Sequence, residues 1–141
     1  PNPNVKGPAV RILKGRPNFH LIGPLDYLDM VYLLDRCYFV MTDSGGLQEE
    51  APAFGKPVLI FRDVTERPEA VRAGTVRLMG SKVTTILKES RRLLLNWNHY
   101  RKMANAINPY GDGKASIRIS EALEWYFGWR KIRPKPFRSR L

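Results

Sequence analysis

Asp43-Ser44-Gly45-Gly46-Leu47-Gln48-Glu49-Glu50 follows an apolar run, Cys37-Tyr38-Phe39-Val40-Met41, that reads as a β-strand. The order predicts a strand, a tight turn, and a helix that opens on the two glycines. Free backbone N–H groups and the positive end of a helix dipole then sit at a strand's C-terminal edge, which suits a phosphate or diphosphate. Two acids follow within about two turns, close enough for a carboxylate to meet a sugar hydroxyl beside that phosphate. The stretch points to a nucleotide-sugar site.

Outward from it, strands and helices alternate. A short helix is expected over 5–14, weakened by Gly7 and Pro8. Asn18 to Ile22 reads as a strand ended by Gly23-Pro24. Asp26 is placed to cap a helix reaching Asp35, with Tyr27, Met30, Val31 and Leu34 at helical spacing. After the strand at 37–42, the helix from Gly45 to Phe54 ends at Gly55, and Pro57 to Phe61 forms the next strand. Pro68 starts a short helix to Ala73, and Gly74 turns the chain into a strand at 75–79. From residue 82 the pattern is helical, with Val83, Ile86, Leu87, Ser90, Leu94 and Trp97 on one face. A second helix carries Tyr100, Met103, Ala104 and Ile107. After the loop Asn108–Gly113, a last helix spans 114–127 with Ile119, Leu123 and Tyr126 facing inward.

Such alternation implies βαβ units and a Rossmann-like parallel α/β sheet flanked by helices. Ligands bind outside the C-terminal ends of such strands. The Gly23-Pro24 turn, the 43–46 turn and the 62–67 loop each follow an expected strand, so all three are expected at one edge.

The 141 residues are enough for one domain with a core, and 43% hydrophobic content is ordinary for a globular protein. The chain begins at Pro1, and its opening PNPNV is expected to lie inside a longer protein. Asp26, Asp29, Asp35 and Arg36 interrupt the richest apolar region, so no membrane span is expected. A lone Cys37 excludes an internal disulfide and a cysteine-based metal site, and suits a reducing, cytoplasmic compartment. The formal charge is +11, and the last twelve residues hold six Lys and Arg with no acid. Pro134 and Pro136 among them favour a solvated, disordered tail over 128–141 rather than a nucleic-acid arm.

Ser44, Gly45 and Gly46 form the expected phosphate cradle, in which glycine lets backbone approach a ligand. An ordinary helix start fits the same residues. Glu49 and Glu50 are neighbours pointing about 100° apart, so one of them faces the site. Glu50 is preferred, given Ala51 and Ala53 beside it. Arg67, before Pro68, is placed to bind a diphosphate; spacing supports a salt bridge to Glu66, Glu69 or Asp63 equally. His20, within the expected strand, and His99, expected exposed, lack triad or metal-ligand partners. Trp97, Tyr100, Tyr126, Phe127 and Trp129 are expected to be core.

Several runs occur together in order: Pro24-Leu25-Asp26-Tyr27, TDSGGLQEEAP over 42–52, Gly55-Lys56-Pro57-Val58-Leu59, RDVTERPEAV over 62–71, Ala73-Gly74-Thr75-Val76, and NPYGDG over 108–113. Over residues 1 to about 127 they closely resemble the non-hydrolysing UDP-N-acetylglucosamine 2-epimerases. The resemblance implies most of the C-terminal domain of a two-domain glycosyltransferase-B-type fold, incomplete at its N-terminus. It implies interconversion of UDP-GlcNAc and UDP-ManNAc by elimination and re-addition of UDP, with no cofactor and no metal. Ser44, Gly45 and Gly46 would hold the diphosphate, Glu50 the ribose hydroxyls, and Arg67 would be the catalytic arginine. Met30 would lie near the uracil, where relatives often carry an aromatic. The family's proton-transfer carboxylates lie upstream of Pro1, so this chain alone is expected to be inactive. The implied partners are the nucleotide sugar, the missing N-terminal domain and a second copy in a homodimer, with no membrane and no nucleic acid. A glycosyltransferase of the same fold class, or a non-catalytic anion-binding remnant, are the alternatives. Binding lost with salt and on deletion of 130–141 would mark the last.

Overall fold

A computed structural model describes residues 3–137, which divide into two compact units, the first ending at Arg36 and the second starting at Cys37. The first contains helix α1 (Pro3–Leu13) and helix α2 (Tyr27–Arg36). The Asp26 carboxylate accepts the Asp29 N–H at 2.9 Å and caps α2 as its position suggests. The expected strand at 18–22 does not form. Asn18 has φ 66°, and Phe19, Leu21 and Ile22 are exposed. Apolar β-prone residues become a strand only where a neighbour pairs with them, and this segment has no such neighbour among the described residues. Gly23-Pro24 is therefore not a strand-end turn.

The second unit is a three-stranded parallel sheet flanked by helices. Strands β1 (Val40–Thr42), β2 (Val58–Ile60) and β3 (Val76–Leu78) lie in the order β1-β2-β3. Val40 pairs with Val58, and Val58 with Val76. The central β2 is apolar at every position and completely buried, as a strand covered on both faces must be. Its side chains alternate between faces. Leu59 joins Met79, Leu93 and Met103, with Phe39, Ile86 and Tyr100 around them. Burial of a leucine side chain of this kind contributes about 1.5–3 kcal/mol.

Helix α3 (Gly45–Glu50) continues into a 3-10 turn (Ala51–Phe54) and stops at Gly55, whose φ of 65° suits a glycine after a helix end. Helix α4 (Pro68–Ala73) starts on its proline and ends at Gly74, φ 85°. Helices α5 (Val83–Leu95) and α6 (Trp97–Ala104) cover the Leu59 side of the sheet, and Asn96 Oδ1 caps α6 by accepting the His99 N–H at 2.9 Å.

The inward face of α5 is only partly the expected one, keeping Ile86 and Ser90 and adding Glu89 and Leu93. Ile86, Glu89, Ser90 and Leu93 turn inward, while Val83, Leu87, Leu94 and Trp97 are exposed. Glu89 is admitted by the charge of Arg77, whose Nε on β3 lies 2.6 Å from Oε2, an ion pair without the alignment of a hydrogen bond. His99 is likewise half-buried rather than exposed, with a buried Nε2 that has no hydrogen-bond partner among the described residues.

Helix α7 (Ala115–Tyr126) also departs from expectation. Ile119, Leu123 and Tyr126 are exposed, as are Phe127 and Trp129. Of the aromatics expected in the core, only Tyr100 packs against it. Tyr100 also stacks on Tyr38 at 4.2 Å and on Trp97 at 5.4 Å, and its hydroxyl donates to the Tyr38 carbonyl at 3.0 Å. Beyond α7, the N–H groups of Trp129 and Arg130 donate to the Glu124 carbonyl, and Arg130 pairs with Glu121 at 2.9 Å. The final tail residues, 138–141, lie outside the described residues. No helix among the described residues is long and apolar enough to cross a membrane.

Candidate functional site

Parallel strands end together, so the segments after β1, β2 and β3 emerge at one edge of the sheet. The segment after β1 is the turn into α3. Ser44 sits at the helix start in extended geometry, and its hydroxyl caps nothing. Its N–H donates to Thr42 Oγ1 at 2.9 Å. The first N–H groups of α3, on Gly45 and Gly46, have no acceptor within the helix.

The segment after β2 brings Arg67 over Gly45. A Cβ on Gly45 would lie 2.9 Å from Arg67 Nη1 and 3.2 Å from Nη2, so only glycine leaves room for the guanidinium there. Arg67 Nε donates to Glu49, and Nη1 to Glu66 at 3.3 Å. Glu66 also pairs with Arg62 at 3.6 Å. The Glu49 carboxylate raises the pKa of Arg67 further, which fixes it as a permanent cation. Nη2 makes no hydrogen bond to the described residues, and its two N–H groups, with the second on Nη1, are left for a ligand.

Glu49 and Glu50 separate as the helical angle requires. Glu49 turns to Arg67. Glu50 is half-buried, makes no ion pair among the described residues, and has Oε1 3.8 Å from where a Gly46 Cβ would lie. The segment after β3 braces the loop after β2. Gly80 N–H donates to the Arg62 carbonyl at 3.1 Å, and Asp63 Oδ1 occupies the space a Gly80 Cβ would need.

Ser44, Gly45, Gly46, Glu50 and Arg67 are therefore neighbours at one sheet edge. Met30 belongs to the first unit, half-buried on α2. Two residues beneath the edge escaped the sequence reading. Gln48, 1% exposed, donates from Nε2 to the Ser44 carbonyl at 3.2 Å and accepts the Thr65 hydroxyl at 2.8 Å. Thr65 in turn accepts the Arg67 N–H at 3.1 Å. Gln48 lies three residues before the buried Ala51, and that helical spacing is the signal that could have found it.

The arrangement offers helix-start amides, a serine hydroxyl, a permanent cation and a carboxylate that no described residue pairs with. That combination suits the diphosphate and ribose of a nucleotide.

A family model described as UDP-N-acetylglucosamine 2-epimerase matches residues 1–124. A UDP-N-acetylglucosamine 2-epimerase of Escherichia coli K12 is 55% identical over 123 residues, 87% of this chain and 33% of its own length. The S. aureus MnaA–UDP co-structure superposes with a TM-score of 0.87 at 43% identity, over 96% of this chain and 37% of that one. A Neisseria meningitidis UDP-GlcNAc 2-epimerase bound to UDP-GlcNAc gives a TM-score of 0.80 at 52% identity, over 86% of this chain and 33% of that one. The chain thus spans about a third of the length of the relatives it matches.

Proposed function

The chain belongs to the UDP-N-acetylglucosamine 2-epimerase family, and on that premise we propose that it carries the UDP half-site of an epimerase acting on UDP-GlcNAc and UDP-ManNAc. The observation that carries this reading is the Arg67 guanidinium lying over Gly45 at the start of α3, with the Glu50 carboxylate near Gly46 and no ion pair to it among the described residues. Ser44, Gly45 and Gly46 hold the diphosphate with N–H groups and a hydroxyl. Glu50 accepts hydrogen bonds from the ribose hydroxyls. Met30 is the contact proposed for uracil, since a thioether chain packs well on a ring.

Arg67 is the catalytic residue of this half. In the whole enzyme the bond from C1 of the sugar to the diphosphate oxygen breaks as C2 loses its proton, giving an unsaturated sugar and UDP. UDP then adds back while C2 is reprotonated on the other face. Negative charge grows on the leaving diphosphate, and Arg67 is aimed where it develops. The carboxylates that move the C2 proton belong to the part of the relatives' length that this chain does not span. The chain alone therefore binds UDP but does not epimerise, and residues 128–141 stand outside the site.

Calorimetric titration of the 141-residue chain with UDP, with circular dichroism as a check on folding, tests this. Saturable binding weakened about tenfold by Glu50→Ala is the expected result, the size of one hydrogen-bonded charge. A folded chain that takes no UDP would overturn the assignment. Detectable product from the purified chain would overturn its inactivity.

A further inference from the structure

The proposed half-site leaves Gln48 and Thr65 without a contact to ligand, yet Gln48 is a fully buried amide in a short helix. Burial of an amide is costly unless its groups are paired, and both ends of Gln48 are. Its hydrogen bonds belong to one continuous relay. The Arg67 N–H donates to Thr65 Oγ1 at 3.1 Å, the Thr65 hydroxyl to Gln48 Oε1 at 2.8 Å, Gln48 Nε2 to the Ser44 carbonyl at 3.2 Å, and the Ser44 N–H to Thr42 Oγ1 at 2.9 Å. Through the Thr65 hydroxyl and the Gln48 amide the first three donors point the same way, so those bonds polarise one another, and the Ser44 N–H, on the preceding peptide, adds a separate anchor to β1. The relay starts at the residue that carries the cation and ends at the last residue of β1. It passes through the residue that opens the phosphate turn.

We infer that Gln48 and Thr65 are positioning residues which lock the Arg67 loop to the Ser44–Gly46 turn, so that the Arg67 guanidinium and the α3 amides present one preset anion-binding surface. The inference rests on the UDP half-site for its purpose and on the four hydrogen bonds for its substance. Geometry explains why a side-chain relay is used. The loop from Phe61 to Arg67 crosses to α3 with no backbone hydrogen bond between the two among the described residues. Surface ion pairs to Glu49 and Glu66 hold the guanidinium tip, but such pairs alone fix a long side chain poorly. The buried amide fixes the loop at the other end of that side chain, at its backbone. An amide suits this place because it donates to a carbonyl and accepts from a hydroxyl at once, which neither a carboxylate nor an ammonium does.

Two measurements on the 141-residue chain test the inference separately from the function. The first needs no ligand. The Arg67 side-chain Nε–H resonance, assigned by its disappearance in Arg67→Lys, is expected to stand apart from the other arginines because Glu49 accepts it. Thr65→Val and Gln48→Met, which remove the relay at nearly constant volume, are expected to return it to the averaged arginine position. Thr65→Ser, which keeps the hydroxyl, is expected to leave it in place. The second measurement is a cycle of UDP titrations. Arg67→Met is expected to weaken binding about tenfold in the wild type and less than about twofold in Gln48→Met.

An unmoved Arg67 resonance in folded Thr65→Val and Gln48→Met would overturn the inference, and so would a full Arg67→Met loss in the Gln48→Met background. A wild-type chain with the displaced resonance that takes no UDP would sink the functional reading while leaving the lock intact. If Gln48→Met does not fold, Thr65→Val, at a half-buried position, decides between the outcomes.

Discussion

The Arg67 guanidinium rests on Gly45, with Nη1 2.9 Å from the point a Cβ would occupy. The contact is between the flexible end of a long side chain and a helix-opening glycine, so its disruption is expected to cost binding more than folding. In Gly45→Ala the guanidinium must move and its pairing with Glu49 is disturbed. Alanine's better helix propensity, about 1 kcal/mol, offsets the strain. Thermal denaturation is expected to show little change, while UDP titration shows binding about tenfold weaker.

Glu49 and a bound diphosphate compete for one cation. Neutralising the carboxylate in Glu49→Gln keeps an acceptor near Arg67 Nε and removes the charge opposing the ligand. UDP is expected to bind up to about fivefold tighter, the scale of a partly exposed ion pair. Calorimetry of Glu49→Gln beside Glu50→Ala should give opposite signs at adjacent residues, and losses of equal size at both would contradict the division of roles.

Gly80 holds two loops together in a space no side chain fits. Its φ is 64°, and a Cβ would lie 2.4 Å from Asp63 Oδ1. Gly80→Ala is expected to lower stability by about 1–3 kcal/mol, since it combines left-handed backbone with a clash that displaces the loop after β2. Urea denaturation reads this directly, and a midpoint equal to wild type would refute it.

Stability is expected to fall as pH drops through the ordinary histidine range, and His99 is the cause. Burial lowers its pKa, and the cations of Arg92, Arg77 and Lys102 add to this against a weaker opposing pull from Glu89. The folded state therefore binds its proton less readily than the unfolded chain does. The sign follows: the neutral, buried imidazole is undisturbed above about pH 6.5, and stability is lost as pH falls from there towards the folded value. His99→Gln should flatten that limb in urea midpoints measured from neutral to mildly acidic pH, and an unchanged limb would contradict the assignment.

The parts of the fold visible in the sequence are those set by local chemistry. Gly55 and Gly74 mark helix ends through backbone that only glycine adopts cheaply, Pro68 marks a start, and Asp26 caps α2. The buried run Val58-Leu59-Ile60 names the central strand by composition. What failed depends on neighbours far along the chain. Residues 18–22 have the composition of a strand and, among the described residues, no strand to pair with. The face of α5 turns on Glu89, which counts as polar until Arg77 arrives from β3 to pair with it. Ile119 and Leu123 fit a core pattern on α7, but apolar spacing says nothing about which surface waits opposite. The site divides in the same way. Its outer residues, from Ser44 to Glu50 and Arg67, follow from strand, turn and helix order. Gln48 and Thr65 are seventeen positions apart, and nothing local links them.

The sheet register has a kinetic side. Val40 faces Val58 and Val58 faces Val76, so the chain takes two equal steps to build it. Loops of equal length close at equal entropic cost, so neither strand pair has a head start over the other. Both pairs need β2, which makes its capture the event common to either route. Each pairing needs its crossover to close before any ladder contact forms, which makes parallel pairing the slow part of assembly. The phosphate turn follows β1 and the Arg67 loop follows β2, so the two halves of the site are brought together only when β2 is captured.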